Sequence, residues 1–285
     1  MDTDELDAAI AEYRQTLQLK PDDAETHLKL GATLWKKGMV SGAIAEYRAA
    51  VRLQPQEAHT HRILADALAE EGDLEAAIAE YRQALRLRPD DALAHNGLGT
   101  VLQKKGDPEG AIAEYTKAIR LRPDLAAAHS NLAGSLALKG DLEGAVNEYG
   151  EALRFNPFDA SLHCNLARAL AKKGNITGAI AEYREALRLK PDLTRIHYSL
   201  CIALVRRHEV RQAFGEFVKA SCKSPWQRLL VQYISLLFAS AVLGYALGVL
   251  RFGVPRQYWL RLAVFPLAIM LFVYSWRWFF KGKEK

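Results

Sequence analysis

At 285 residues, with a charged fraction of 25%, 10 prolines and 19 glycines, the chain has the composition of a folded protein and excludes disordered, collagen-like and disulfide-built polypeptides. Its formal charge of +5 is unevenly placed: residues 1–225 hold 30 Lys/Arg against 32 Asp/Glu, and residues 226–285 hold 8 against 1. A nucleic-acid binder concentrates positive charge on its folded domain, so this distribution points away from nucleic acid.

The chain opens on an amphipathic helix around Ile10, Tyr13 and Leu17. No helix precedes it to cover its apolar face, which makes it a terminal cap or, alternatively, a self-association face that would give a homo-oligomer. Prolines then recur every 34 residues, at 21, 55, 89, 123, 157, 191 and 225. Taking each proline as position 32 divides the chain into a half repeat and cap helix in residues 1–23 and six full units: 24–57, 58–91, 92–125, 126–159, 160–193 and 194–227.

Within each unit the same residue types return. Leucine holds position 7 (Leu30, Leu64, Leu98, Leu132, Leu166, Leu200), and small residues hold position 8 (Gly31, Ala65, Gly99, Ala133, Ala167, Cys201). Alanine holds position 20 (Ala43, Ala77, Ala111, Ala145, Ala179, Ala213), and an aromatic holds position 24 (Tyr47, Tyr81, Tyr115, Tyr149, Tyr183, Phe217). These residues resemble the tetratricopeptide-repeat family over about four fifths of the chain. The physics of unit 3 agrees: Leu98, Gly99 and Leu102 fall at helical spacing, Gly106 can take positive φ and end the helix, Asp107 caps the next with Pro108 at its first position, and Pro123 stops it. Each unit is therefore expected to be a helical hairpin that buries its faces only by stacking, so the fold class is an all-α right-handed solenoid with a concave inner face. His208 stands where the other units have their turn glycine.

His27, His61, His95, His129, His163 and His197 form a ladder at position 4, but neighbouring helices lie about 8–10 Å apart while zinc ligands lie about 2 Å from one ion, which favours packing over a metal. Gly97-Leu98-Gly99 follows no strand and lacks the third glycine of a dinucleotide loop, so it reads as a close-packing site. Asn175-Ile176-Thr177 fits a glycosylation sequon, yet Asn175 sits at a helix-cap position. Cys164, Cys201 and Cys222 cannot pair completely, match no zinc spacing and read as free thiols in a reducing compartment. With no P-loop, HExxH or Gly-x-Ser-x-Gly, the expectation is a protein without catalytic residues, cofactor or metal.

The resemblance implies a concave binding surface built from positions 2, 5, 6, 9, 12 and 13 of each first helix. Those positions include Arg62, Asn96, Asn131, Asn165, Arg168, Lys172, Tyr198 and Arg206. Family members that clamp a terminal carboxylate need an asparagine where this chain has Ala32, Asp66 and Thr100, so that clamp is not expected. Asn131 and Asn165 resemble instead the inner asparagines of the long superhelix in O-linked N-acetylglucosamine transferases, which contact peptide backbone.

The tail reads as a membrane anchor, residues 228–285. Leu229 to Leu250 is 22 residues without a charge, about 33 Å as a helix against a hydrocarbon core of about 30 Å. A second span, about 259–280, is built on the uncharged stretch Leu262 to Trp276, whose flanking Arg261 and Arg277 can snorkel, with Trp259, Trp276, Trp278 and Phe279 as interfacial aromatics. Two spans leave the basic residues before and after the pair on one side, against Arg251, Arg256 and Arg261 on the other, so the positive-inside rule favours a hairpin. Ser240, Gly244 and Gly248 make one small face on the first span suited to helix packing. The opening MDTDELDAAI has neither a basic n-region nor an apolar h-region, so both the solenoid and the C-terminal tail are expected to face the cytoplasm. The functional expectation is a membrane-anchored scaffold that recruits a protein or peptide segment through its groove. The alternative is an accessory subunit of a membrane enzyme or envelope-assembly complex.

Overall fold

The structure, a computed structural model, describes residues 3–221. The expected spans at 229–250 and 259–280, with Ser240, Gly244 and Gly248, lie outside them. No helix among the described residues is long and apolar enough to cross a membrane. The chain divides into two units, Met1–Ala213 and Phe214–Lys285, of which the second is described only through Ser221.

The described residues form thirteen helices and no strand: α1 (Thr3–Leu19), α2 (Ala24–Lys36), α3 (Val40–Leu53), α4 (Ala58–Glu71), α5 (Leu74–Leu87), α6 (Ala92–Lys105), α7 (Pro108–Leu121), α8 (Ala126–Lys139), α9 (Leu142–Phe155), α10 (Ala160–Lys173), α11 (Ile176–Leu189), α12 (Thr194–Arg206) and α13 (Val210–Ser221). Even-numbered helices open the repeats. Their boundaries follow from side chains. Asp23, Asp91 and Asp159 accept backbone N–H groups at the starts of α2, α6 and α10; Asp73, Asp107, Asp141 and Asn175 do so for α5, α7, α9 and α11. The turns inside units 2 to 5 pass through glycines with φ between 90° and 98°, and His208 takes that role in the last turn at φ 64°. A histidine there carries a steric cost that glycine avoids.

Close approach of the two helices in a hairpin depends on small residues. Ala43, Ala77, Ala111, Ala145 and Ala179, and a second row at Ala50, Ala84, Ala118, Ala152 and Ala186, are all completely buried. The tyrosine of each second helix then slides past the small residue at position 8. A β-carbon added to Gly99 would lie 2.7 Å from the Tyr115 ring, and one added to Gly97 would lie 2.5 Å from Tyr81. Gly97-Leu98-Gly99 is thus a close-packing site on both of its faces. The opening helix α1 buries Leu6 and Ile10, with Tyr13 and Leu17 packed on the core, and turns its polar residues outward. It serves as a cap.

The histidine ladder does more than fill space. His27, His61, His95, His129 and His163 each place Nδ1 at 2.5–2.7 Å from a glutamate nineteen residues on: Glu46, Glu80, Glu114, Glu148 and Glu182. Each Nε2 meets the carbonyl of the preceding unit's proline at 2.8–3.1 Å. One ring therefore ties together both helices of its own unit and the turn before it. The partners are all acceptors, and a neutral imidazole donates only once. In unit 3 the hydrogen bond that His95 donates to Glu114 holds His95 above the usual histidine range against the opposing effect of burial, and His95 in turn pulls Glu114 below the usual carboxylate range.

Candidate functional site

Successive first helices approach one another, α4 with α6, α6 with α8 and α8 with α10. The stack within Met1–Ala213 therefore curves with these helices inside. Their positions 2, 5, 6, 9, 12 and 13 share one side, because residues at i, i+3, i+4 and i+7 superpose on a helix. The groove so formed changes character along its length.

At unit 2 it is polar and self-satisfied. The Arg62 guanidinium donates to Asp66 at 3.1 Å, faces His59 Nδ1 at 3.1 Å and lies 3.5 Å from Asp91. Asp66 also accepts from the Tyr81 hydroxyl. The protein packed around Asp66 raises its carboxyl above the usual range although Tyr81 and Arg62 pull the other way, and burial with the Asp66 charge drives Tyr81 far above its ordinary value. Burial, aided by Asp66, also pushes Tyr47 up to about 12. Arg62 is thus spent on three neighbours and anchors the turn between units 2 and 3.

At units 3 and 4 the groove is uncharged at its centre. Asn131 donates to Asn96 Oδ1 at 3.0 Å and to Thr100 Oγ1 at 3.4 Å, while the Tyr115 hydroxyl reaches through from the second helix to Thr100 at 3.3 Å and Gln103 at 3.1 Å. Two of the three expected asparagines, Asn96 and Asn131, are therefore neighbours that bond each other. Asn165 does not join them; it accepts from Arg168 Nη2 at 2.6 Å.

At units 5 and 6 positive charge gathers. Arg168 and Arg206 both bear electrostatically on the Tyr183 hydroxyl, and Arg168 and Arg195 both bear on Cys164. Burial lifts the Cys164 thiol and the Tyr183 hydroxyl above their ordinary values; the arginines act in the opposite sense. Lys172 is exposed on the same side of α10 as Arg168, one turn on. Among the described residues none of Arg168, Lys172, Arg195 and Arg206 has a carboxylate partner. Beside them Ile202 and Val205 are 58% and 48% exposed, Leu138 is 73% exposed, and Tyr198 is half-buried. Sequence reasoning had not singled out Arg195, Ile202 or Val205, although all three occupy positions 2, 9 and 12 of the last first helix.

Comparisons agree with this architecture. Family models described as TPR repeat match residues 1–38, 65–106, 103–140, 135–174 and 167–206, and one described as tetratricopeptide repeat matches 24–57. Among solved structures, MamA is 29% identical, with a TM-score of 0.51 over 55% of this chain and 96% of its own. PilF of Pseudomonas aeruginosa is 22% identical, with a TM-score of 0.62 over 74% and 96%. YrrB, described as a TPR protein with an unusual peptide-binding site, is 21% identical, with a TM-score of 0.52 over 66% and 96%. No curated protein matches the chain.

Proposed function

The chain belongs to the tetratricopeptide-repeat family, and from that premise we propose that it is a membrane-anchored scaffold whose groove at units 4 to 6 binds an acidic, partly apolar segment of a partner protein. The observation that carries this reading is the convergence of Arg168, Arg195 and Arg206 around Cys164 and Tyr183 with no carboxylate partner among the described residues, next to exposed Ile202 and Val205. Uncompensated charge on a folded surface attracts an opposite charge, and exposed apolar side chains beside it supply the area that a charge alone does not. The Asn96–Asn131 pair at the groove centre retains acceptor and donor capacity for a peptide backbone. YrrB, similar in fold, is a peptide binder by its own description, which is consistent with this use of the groove.

The anchor rests on the uncharged run from Leu229 to Leu250 and the basic residues that flank the two apolar stretches. On this reading the solenoid faces the cytoplasm and concentrates its partner at the membrane, which is recruitment rather than catalysis. Fluorescence anisotropy of the full chain in mild detergent tests the groove. Labelled acidic peptides with interspersed leucines should bind, and basic peptides of the same length should not. Arg168→Glu combined with Lys172→Glu should weaken the acidic peptide by more than about tenfold. Equal binding by that double variant would refute the assignment.

A further inference from the structure

A second basic site lies away from the groove. Between α5, α6 and α7 the structure holds a cleft of about 600 Å³ lined by Ala79, Arg82, Leu85, Arg86, His95, Leu98, Glu114 and Lys117. His95 and Leu98 occupy positions 4 and 7 of α6, on the opposite side of that helix from Thr100 and the other groove residues. Buried His95 forms part of the lining, with Glu114 at 2.5 Å and the Pro89 carbonyl at 2.9 Å.

The charge in this cleft does not balance. Glu114 is the only carboxylate in the lining, and both of its oxygens are committed, Oε2 to His95 and Oε1 to Lys117 at 2.8 Å. Arg82 and Arg86 are exposed at the rim and have no acceptor among the described residues. Units 4 and 5 neutralise such an arginine within its own helix, whereas Arg52 of unit 1 and Arg120 of unit 3 follow Ala49 and Lys117 and lack that pairing. Arg154, at the position of Arg86 two units on, pairs with Glu151 three residues before it, and Arg188, one unit further, pairs with Glu185. In α5 the residue three before Arg86 is Gln83, which offers no charge. Lys117 sharpens the contrast, because its equivalents in units 4 and 5 are those same two glutamates, Glu151 and Glu185. Arg82 has two equivalent arginines: Arg184 donates to Gln212 at 2.7 Å, and Arg48 in unit 1 is exposed like Arg82.

We infer that this cleft is a binding site for a small multiply charged anion of the pyrophosphate type, whose oxygens would supply the acceptors that Arg82 and Arg86 lack. A guanidinium presents paired N–H donors that match phosphoryl oxygens, and Lys117, bonded to Glu114 on one side, adds a further cation to the lining. The volume exceeds what one phosphate fills and leaves room for a chain of two or three phosphoryl groups. Free oligophosphate and the diphosphate of a nucleotide share that chemistry.

Isothermal titration of the full chain in mild detergent, at constant ionic strength, separates the outcomes. Pyrophosphate and tripolyphosphate should each bind saturably at one site. A nucleoside diphosphate that binds at least as tightly would make the nucleotide the natural source, and one that binds more weakly would favour free oligophosphate; either supports the site. Lys117→Glu, which gives unit 3 the residue that units 4 and 5 already tolerate, should weaken binding by about tenfold or more, as should Arg82→Gln with Arg86→Gln. Arg154→Gln with Arg188→Gln, which removes arginines that already have partners, should leave it within about twofold. The inference is overturned if pyrophosphate does not saturate the wild type, or if the Arg154 and Arg188 variant loses as much affinity as the Arg82 and Arg86 variant. Neither result bears on the groove, whose variants lie on α10.

Discussion

Replacing Glu114 by glutamine tests what the histidine ladder contributes. Glu114→Gln keeps the shape and one neutral hydrogen bond to His95 but removes the charge. The His95 and Glu114 side chains are only 10% and 14% accessible, so water screens their interaction little. A hydrogen bond to a charged group contributes about 1.5–3 kcal/mol and a neutral one about 0.5–1.5, which sets the expected loss at about 1–2 kcal/mol. For a folded unit of this length that corresponds to a Tm lower by about 2–8 °C. The pH dependence is more diagnostic. His95 is raised in the folded state, so its contribution is complete below about pH 6.5, the unfolded value, and fades as pH rises through the folded one. Glu114 is lowered, so its contribution is complete above about pH 4.5 and fades as pH falls through its folded value. The pair therefore stabilises most between about pH 4.5 and 6.5, and the variant should lose most there. Because stacked repeats can open locally, amide exchange in residues 88–95 and in α7 is the appropriate companion to urea unfolding at pH 5.5 and 8.5. Superimposable stability–pH profiles for wild type and Glu114→Gln, with unchanged exchange around Pro89, would refute the reasoning.

Three other outcomes are expected. Tyr115→Ala empties a fully buried position and should cost about 3–5 kcal/mol in urea unfolding, whereas Tyr115→Phe loses only the contacts to Thr100 and Gln103 and should cost about 1 kcal/mol; equal losses would contradict the packing described. His208→Gly relieves a non-glycine residue at φ 64° and should stabilise the C-terminal hairpin by about 0.5–1 kcal/mol, read from amide exchange in α12; destabilisation would show that the histidine has a compensating contact. The full chain should remain with membranes after alkaline extraction, whereas a chain ending at Ser221 should be released; release of both would remove the anchor from the account.

The repeat was legible because proline, glycine and alanine enforce backbone events that no other residue performs as well. Pro123, Gly106 and Ala111 each mark a stop, a left-handed turn or a close helix crossing, and the helices begin and end accordingly. His95 was visible as part of a ladder, but its partner was not: Glu114 is nineteen residues away on the next helix, and nothing local distinguishes it from the exposed glutamates around it. The groove residues share one side of the first helices by their spacing, yet their state depends on neighbours in other units. Arg62 occupies the expected row and is consumed by Asp66, Asp91 and His59, while Arg195, at the analogous edge of α12, has no such partner among the described residues. The cleft at Arg82 and Arg86 was likewise hidden, since its charge imbalance appears only when Gln83 and Lys117 are compared across units that the fold brings side by side.

Site-specific photocrosslinking in the native membrane tests the central claim most directly. A photoreactive phenylalanine analogue at Leu138 or Ile202, both exposed in the basic part of the groove, should capture a partner through an acidic segment, and the same group at Leu121 on α7 should not. Capture from Leu138 and Ile202 should disappear when Arg168→Glu and Lys172→Glu are combined. Capture that is equally strong from Leu121, or that survives the double charge reversal, would contradict recruitment through the groove.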